Sequence, residues 1–316
     1  MRIHRDHAGL PAAARGASVA IGNFDGVHCG HREVIRVAAE HARARGRPLG
    51  VVTFEPHPRE VLDPATAPAR LTPLRRKAEL LRDLGVEHLF VCRCDRSLLA
   101  TSAEAFVTDR LHGQLNVAAV TTGRDFCFGH RRQGNTGLLR VMLEPLGRAV
   151  STVDPVTVDG AICSSTAIRQ SLADGLVEHA NALLGYAYEV DGIVRGGDRR
   201  GRELGFPTAN LHPLARRPVL PGVGVYAVDA ATRRPGGWRW HPAVAYFGRR
   251  PTFDGHSLLL EVHLLEGGRD LYGQRLRAAF RQRLRGDQAF AGIDELKAQI
   301  LRDCAQARAL HAPIPA

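Results

Sequence analysis

The sequence predicts two domains of different class: a doubly wound parallel α/β sheet over residues 1–184, then a small antiparallel β-barrel with a terminal helix over 185–316. Three observations predict it. Up to about Leu184, apolar runs of strand length alternate with amphipathic stretches of helix length, the pattern of a parallel sheet with helical crossovers. From Tyr186 to about Arg283, short β-rich runs broken by Gly and Pro follow one another with no helical period between them. The last amphipathic stretch, AGIDELKAQILRDCAQARAL, reads as a helix.

Taken in order, ASVAIGNF reads as a strand ending in a Gly turn, and HREVIRVAAEHARARG as a helix closed by Gly46. PLGVVTFEP is the next strand, halted by Pro56 and Pro58. TPLRRKAELLRDLG is a helix with Thr72 as its cap and Gly85 as its stop. VEHLFVCRC is a third strand, SAEAFVTDRLHGQL a third helix, VAAVTTG a fourth strand and AVSTVDPV a fifth. In such a sheet, ligands sit at the carboxyl ends of the strands. TAIRQSLADGLVEHANALLG reads as one or two helices, and YEVDGIV, GVYAVDA, HPAVAYF, LLLEVHLL and LRAAFRQRL as barrel strands. The tail, HAPIPA, is expected to fray.

The net charge of +11 raises nucleic acid as a partner, but the distribution argues against it. Lys77 and Lys297 are the only lysines, and the arginines spread over both halves with no basic tail and no RNA-binding signature. What the charge does fit is affinity for anionic ligands. No apolar run reaches the length of a membrane span. The first residues, MRIHRDHAGLPAAARG, lack the apolar core of a secretory signal, so the expected compartment is the cytoplasm, with no membrane contact. Six scattered cysteines read as buried or incidental thiols in a reducing compartment; Cys92 and Cys94 are too close for a zinc knuckle. Nothing in the sequence speaks to an oligomeric state.

The stretch GNFDGVHCGH, residues 22–31, follows the first strand and opens the first helix. A helix start presents unpaired backbone N–H groups and a positive dipole end to an anion. Gly22 and Gly26 are expected to let the backbone bend and approach a ligand. His28 and His31 then fall beside that helix start, where imidazoles can donate to phosphate oxygens. A metal site or plain helix-start polarity are the alternatives; no third ligand is evident nearby. The P-loop pattern is absent.

The densest signal is DGIVRGGDRRGRELGFPTANL, residues 191–211. Gly196, Gly197 and Gly201 make a loop after a strand, suited to cradling phosphate through exposed N–H groups. Gly205, Phe206 and Pro207 form a stiff turn that aims Thr208 and Asn210, whose hydroxyl and carbonyl oxygens are hard ligands suited to Mg²⁺. A Gly-rich hairpin with turn-forming Thr208 and Asn210 is the alternative reading of the same residues.

These segments resemble the bacterial bifunctional riboflavin kinase/FAD synthetases. GNFDGVHCGH resembles the H-x-G-H nucleotidyltransferase motif as it stands in that family, and TFEPHPRE (53–60), GRDFCFGHRRQGN (123–135) and CSSTAIR (163–169) resemble three further family motifs in the same order. The resemblance implies a nucleotidyltransferase-like first domain that adenylylates FMN to FAD and releases pyrophosphate. It implies that His28 and His31 hold the ATP phosphates with Gly22, Phe24 and Gly30. Ser164, Ser165, Thr166 and Arg169 would hold the leaving pyrophosphate. Asp125, Phe126 and Phe128 would lie near nucleotide and flavin, Asp125 also attracting Mg²⁺. Phe126 and Phe128 alternate like core residues, so packing is the competing reading.

The 191–211 segment is similar to the riboflavin kinase motif G-x-V-x-x-G-x-x-x-G-x-x-L-G-F-P-T-A-N at every fixed position. PGVGVYAV (221–228), GRRPTF (248–253) and LEVHLLEGGRDLYGQRLRAAFRQRLR (260–285) follow in family order. The resemblance implies a second domain that phosphorylates riboflavin to FMN, with Gly197 and Gly201 at the phosphates and Thr208 and Asn210 at Mg²⁺. Glu261 would accept the proton of the attacking 5′-hydroxyl. The implied substrates are riboflavin, FMN and ATP. Three places depart from the family pattern: Tyr246 and Phe247 where Asn-Ile is common, Asp287 and Ala289 in RGDQAF, and Tyr186 where Arg often sits. These touch flavin-side contacts and interdomain packing, and leave Thr208, Asn210 and Glu261 in place.

Overall fold

The computed structural model describes residues 1–5, 9–196, 200–252, 255–266 and 270–311. The chain divides into two compact units, Met1–Ser165 and Thr166–Ala316.

The first unit is built on six parallel strands: β1 (Arg2–His4), β2 (Ser18–Ile21), β3 (Leu49–Glu55), β4 (His88–Arg93), β5 (Ala119–Gly123) and β6 (Ala149–Val153). Their order is β1-β4-β3-β2-β5-β6, so the chain winds outward from β2 in both directions. Ser18–Ile21 is buried at every position, as a strand covered on both faces must be. Five of the six strands are those the apolar runs predict. The sixth, β1, pairs with β4 at the edge, and its RIH carries no apolar period to announce it.

The helix after β2 spans Cys29–Ala44 and puts Val34, Ile35, Ala38 and Ala42 into the core, a spacing of one face. The expected cap at Thr72 is not one. The Leu74–Asp83 helix takes Pro73 at its N-cap with no side-chain cap bond, because Thr72 is turned inward to Asp25. The third predicted helix starts at Ala103 and passes into a π-helical run, Phe106–Gln114, that buries Phe106, Val107 and Leu111. A two-strand hairpin, β7 (Thr157–Val158) and β8 (Ala161–Ile162), leads to the helix Ser165–Ala173.

The second unit is a closed barrel of β9 (Tyr188–Arg195), β10 (Ala209–Pro213), β11 (Gly224–Arg234), β12 (Gly237–Thr252), β13 (Gly255–Leu264) and β14 (Arg275–Arg285), in the order β10-β13-β12-β11-β14-β9. Tyr226 and Phe280 meet edge to face in its interior, and Tyr188 donates its hydroxyl to the Val219 carbonyl at 2.7 Å. The predicted barrel strands are all present; β10 is additional, formed by residues read above as a ligand-bearing turn. The Val177–Leu184 helix is tied to the barrel through Asn181, which donates to the Phe280 carbonyl. The C-terminal helix Ile293–His311 lays Cys304 and Ala307 on Val225, Ala227 and Val244, so one outer face of the barrel is covered. Of the tail expected to fray, His311 instead closes the helix and pairs with Asp229, and 312–316 lie outside the described residues.

Candidate active site

In the first unit, the loop from Gly22 to His28 leaves the carboxyl end of β2. Three of its residues are left-handed: Phe24 (φ 49°), Gly26 (φ 89°) and Val27 (φ 41°). For Phe24 and Val27 that conformation is costly, on the order of 1–2 kcal/mol each, and something must hold it. The clamp is Asp25, 2 % exposed. Its Oδ1 accepts from Thr72 N at 3.0 Å and from Thr72 Oγ1 at 3.3 Å, and its Oδ2 accepts from Leu71 N at 3.2 Å. Gly26 N donates to Thr72 Oγ1 at 2.9 Å, and Ser165 Oγ donates to the Asp25 carbonyl at 2.8 Å. The chain bends at Gly22 as expected, without a left-handed φ; the left-handed strain falls on Phe24 and Val27.

His28 caps the Cys29–Ala44 helix, its Nδ1 accepting from His31 N at 3.4 Å. The two imidazoles stack at 3.6 Å, and His31 meets the Phe24 ring edge-on at 5.1 Å. Burial, then the neighbouring His28 and Lys77, hold the His31 imidazole well below its ordinary pKa. His31 is therefore neutral near pH 7, and its buried Nδ1 has no hydrogen-bond partner among the described residues. Gly30 packs under the His28 ring: a Cβ there would lie 3.3 Å from it and 3.5 Å from the Cys163 carbonyl. Phe24 is only 1 % exposed, so it offers a ligand its backbone rather than its ring.

Beneath this loop lies a charge the sequence reading did not use. Lys77 is completely buried, donating to Glu55 Oε1 at 2.8 Å and Thr53 Oγ1 at 3.4 Å. Thr53 donates to the Asn23 carbonyl at 3.1 Å, and Arg70 also pairs with Glu55. Burial lowers the Lys77 pKa, with Glu55 working against it. One signal could have found it: a chain that otherwise uses arginine keeps lysine here.

The remaining residues predicted for this site fall as follows. Ser164 and Ser165 are half-buried, and Thr166 (exposed) and Arg169 (half-buried) follow on the helix that Ser165 begins. Asp125 is exposed on the loop after β5. Phe126 and Phe128 stack at 5.6 Å, and Phe128 is a core residue packed on Phe106, so Phe126 has the more surface to offer. Among the described residues no cluster of three or more His, Cys, Asp or Glu could hold a metal.

In the second unit a cavity of about 460 Å³ is lined by Gly201, Thr208, Asn210 and Glu261. The strand register brings two of them together: Asn210 on β10 lies directly opposite Glu261 on β13, and Glu261 directly opposite Tyr246 on β12. Directly opposed residues share a face, so the three side chains form a row across the sheet. Gly201 has no room for a side chain, since a Cβ would lie 2.5 Å from the Phe206 carbonyl and 3.1 Å from Thr208 Oγ1. His263 pins the same turn, its Nδ1 lying 2.9 Å from the Pro207 carbonyl oxygen. Asn210 is 7 % exposed, and its buried Oδ1 has no hydrogen-bond partner among the described residues. Leu204, Leu271, Phe290, Leu296 and Ile300 give the cavity an apolar side. Gly197 lies outside the described residues, as do Phe253 and 267–269 of the quoted motifs.

With this geometry in view, the comparisons with known proteins fall on the same two halves. The FAD synthetase profile matches residues 10–167 and the riboflavin kinase profile residues 184–311. A bifunctional riboflavin kinase/FMN adenylyltransferase of Escherichia coli K12 is 43 % identical over 297 residues, 94 % of this chain and 93 % of that one. The chain belongs to this family. A relative of the same description from Pseudomonas fluorescens is 40 % identical and covers 99 % of both chains. A solved structure described as a macrolide-efflux protein of Streptococcus pneumoniae superposes with a TM-score of 0.85 at 30 % identity, over 97 % of this chain and 98 % of that one. Among the described residues no helix is long and apolar enough to cross a membrane.

Proposed function

We propose that the two halves of the chain divide the two reactions of its family at about residue 184. The barrel transfers the γ-phosphoryl group of ATP to the 5′-hydroxyl of riboflavin, giving FMN and ADP. The α/β domain joins the FMN phosphate to the α-phosphorus of ATP, giving FAD and pyrophosphate. The compartment we infer is the cytoplasm, where ATP is at hand.

In the barrel, Glu261 takes the proton of the attacking hydroxyl, and Gly201 leaves backbone room for phosphate. Thr208 and the unpartnered Asn210 Oδ1 are hard oxygens that fit a magnesium ion. Bound there, magnesium would supply charge neutralisation to the phosphate oxygens. In the α/β domain, His28 and His31 at the helix start receive the triphosphate. Ser164, Ser165, Thr166 and Arg169 take the leaving pyrophosphate, Arg169 by a fork of N–H donors. Gly22, Phe24 and Gly30 contribute backbone, Phe126 flanks the flavin side with the core residue Phe128 stacked behind it, and Asp125 would offer a carboxylate to magnesium. No covalent intermediate is needed, since the FMN phosphate is itself the nucleophile; alignment and charge stabilisation do the work.

The observation that carries this reading is the convergence of Gly201, Thr208, Asn210 and Glu261 on one cavity with an apolar side large enough for a flavin. Separate assays with riboflavin and with FMN test it. His28→Ala is expected to abolish FAD formation and spare FMN formation, and Glu261→Ala the reverse. Folded variants that each lost both activities alike would refute the division of labour.

A further inference from the structure

Two of the family departures, Tyr246 and Asp287, stand 41 positions apart in sequence, yet the Tyr246 hydroxyl donates to Asp287 Oδ1 at 3.3 Å. Both line the cavity that holds Glu261. The phenol lies over Gly248, which has to be glycine because any Cβ would collide with the ring and its hydroxyl. Burial, and then the carboxylates of Asp287 and Glu261, raise the phenol's pKa, which keeps it protonated. Its single proton is spent on Asp287, and its oxygen is left as an acceptor.

The register fixes which part of a substrate meets it. Asn210, Glu261 and Tyr246 lie in a row over β10, β13 and β12, about 4.8 Å per strand. The phosphate side is at Asn210 and Thr208, and the attacking hydroxyl is at Glu261. The next atoms of the alcohol must then run toward β12. In riboflavin those atoms are the secondary hydroxyls of the ribityl chain, and they arrive as donors at an oxygen that can only accept.

We propose that Tyr246, oriented by Asp287, is a specificity-determining residue of the kinase site: it accepts a hydrogen bond from a secondary hydroxyl of the ribityl chain and so selects a polyhydroxylated flavin. The proposal rests on the reading of Glu261 as the base.

The test compares riboflavin with a flavin carrying a 5-hydroxypentyl chain at N10, which keeps the terminal hydroxyl and lacks the others. Tyr246→Phe is expected to raise KM for riboflavin about tenfold, the weight of one hydrogen bond, with kcat within about twofold and the hydroxypentyl flavin unaffected. Asp287→Asn loosens the phenol and is expected to give about a threefold rise on riboflavin alone. Turnover of the hydroxypentyl flavin by the same preparations reports that the barrel of each variant is folded. If both variants treat the two flavins alike, or leave riboflavin unchanged, the assignment is wrong. Glu261→Gln keeps the two ideas apart: it is expected to stop turnover of both flavins, and normal turnover would sink the base reading beneath the proposal.

Discussion

On the reading above, both sites receive ATP, and they are built in opposite ways. The site in the α/β unit is a seven-residue loop held in a costly conformation by side-chain bonds from residues 46, 47 and 140 positions away. The barrel site is a row set by backbone register, with Asn210, Glu261 and Tyr246 brought level by the ladders of three strands. A loop held by one carboxylate can be dismantled at one residue. A row held by ladders keeps its geometry when a side chain is exchanged, which leaves room for departures such as Tyr246. The difference predicts where each half is fragile.

The sharpest way to break the comparison is Asp25→Ala. It strands the buried N–H groups of Leu71 and Thr72, at about 1–3 kcal/mol each, and releases Phe24 and Val27 from their left-handed conformation. FAD formation is expected to fall by about two orders of magnitude, while FMN formation stays within about twofold. Equal loss of both activities in steady-state assays would mean that the clamp is not local to the first site.

Two glycines give a second contrast of smaller size. Gly201→Ala puts a Cβ against the Phe206 carbonyl, a backbone atom that cannot step aside. The turn carrying Thr208 must shift, and FMN formation is expected to drop about tenfold or more through KM for ATP. Gly30→Ala meets the His28 ring at 3.3 Å, and that ring can yield a few tenths of an ångström. There FAD formation is expected to fall only about two- to threefold. A reversed order in the two assays would place the tight phosphate loop in the wrong half.

Much of this was legible in the sequence, and the gaps share a cause. Strands β2 to β5 announce themselves because buried parallel strands are rich in apolar residues, and the half-buried edge strand β6 does so through its β-branched AVSTV. Strand β1 and strand β10 do not: RIH and ANLHP have no period of their own, and each becomes a strand by pairing with a distant neighbour. Thr72 has the chemistry of a cap, and only the fold reveals that a carboxylate 47 positions earlier claims it. Lys77 looks like one more charge in LRRKAELL until the fold closes over it. The motif residues were readable singly; the pairing of Tyr246 with Asp287 was not, because the two positions meet only through the closed barrel.

The smallest effect separates the halves by pH. His4, His31, His41 and His88, all in the first unit, have pKa values lowered by burial first; cationic or imidazole neighbours add to this, while Glu87 works against it at His88 and Glu40 at His41. In the unfolded chain they would protonate near 6.5, and in the folded chain later. Their contribution is thus intact above pH 6.5 and is lost as pH falls from there toward the folded values, at up to about 1.4 kcal/mol per pH unit for a single linked proton. In the barrel, Asp191 has a lowered pKa because Arg277 and Arg275 outweigh its burial, so its loss begins only below the ordinary carboxylate pKa of 3.8. Hydrogen exchange between pH 7 and pH 5 is expected to quicken at Ser18–Ile21 and Leu49–Glu55 and to leave Gly224–Arg234 unchanged, after correction for intrinsic rates. ATP should oppose the change at the first site, because a triphosphate beside His31 favours its protonated form. Calorimetry in buffers of different ionisation enthalpy should therefore register net proton uptake on binding at pH 6.5, less than about one proton per chain, and His31→Asn should remove it. Uptake that persisted in that variant would assign the proton to another group and leave His31 out of the phosphate site.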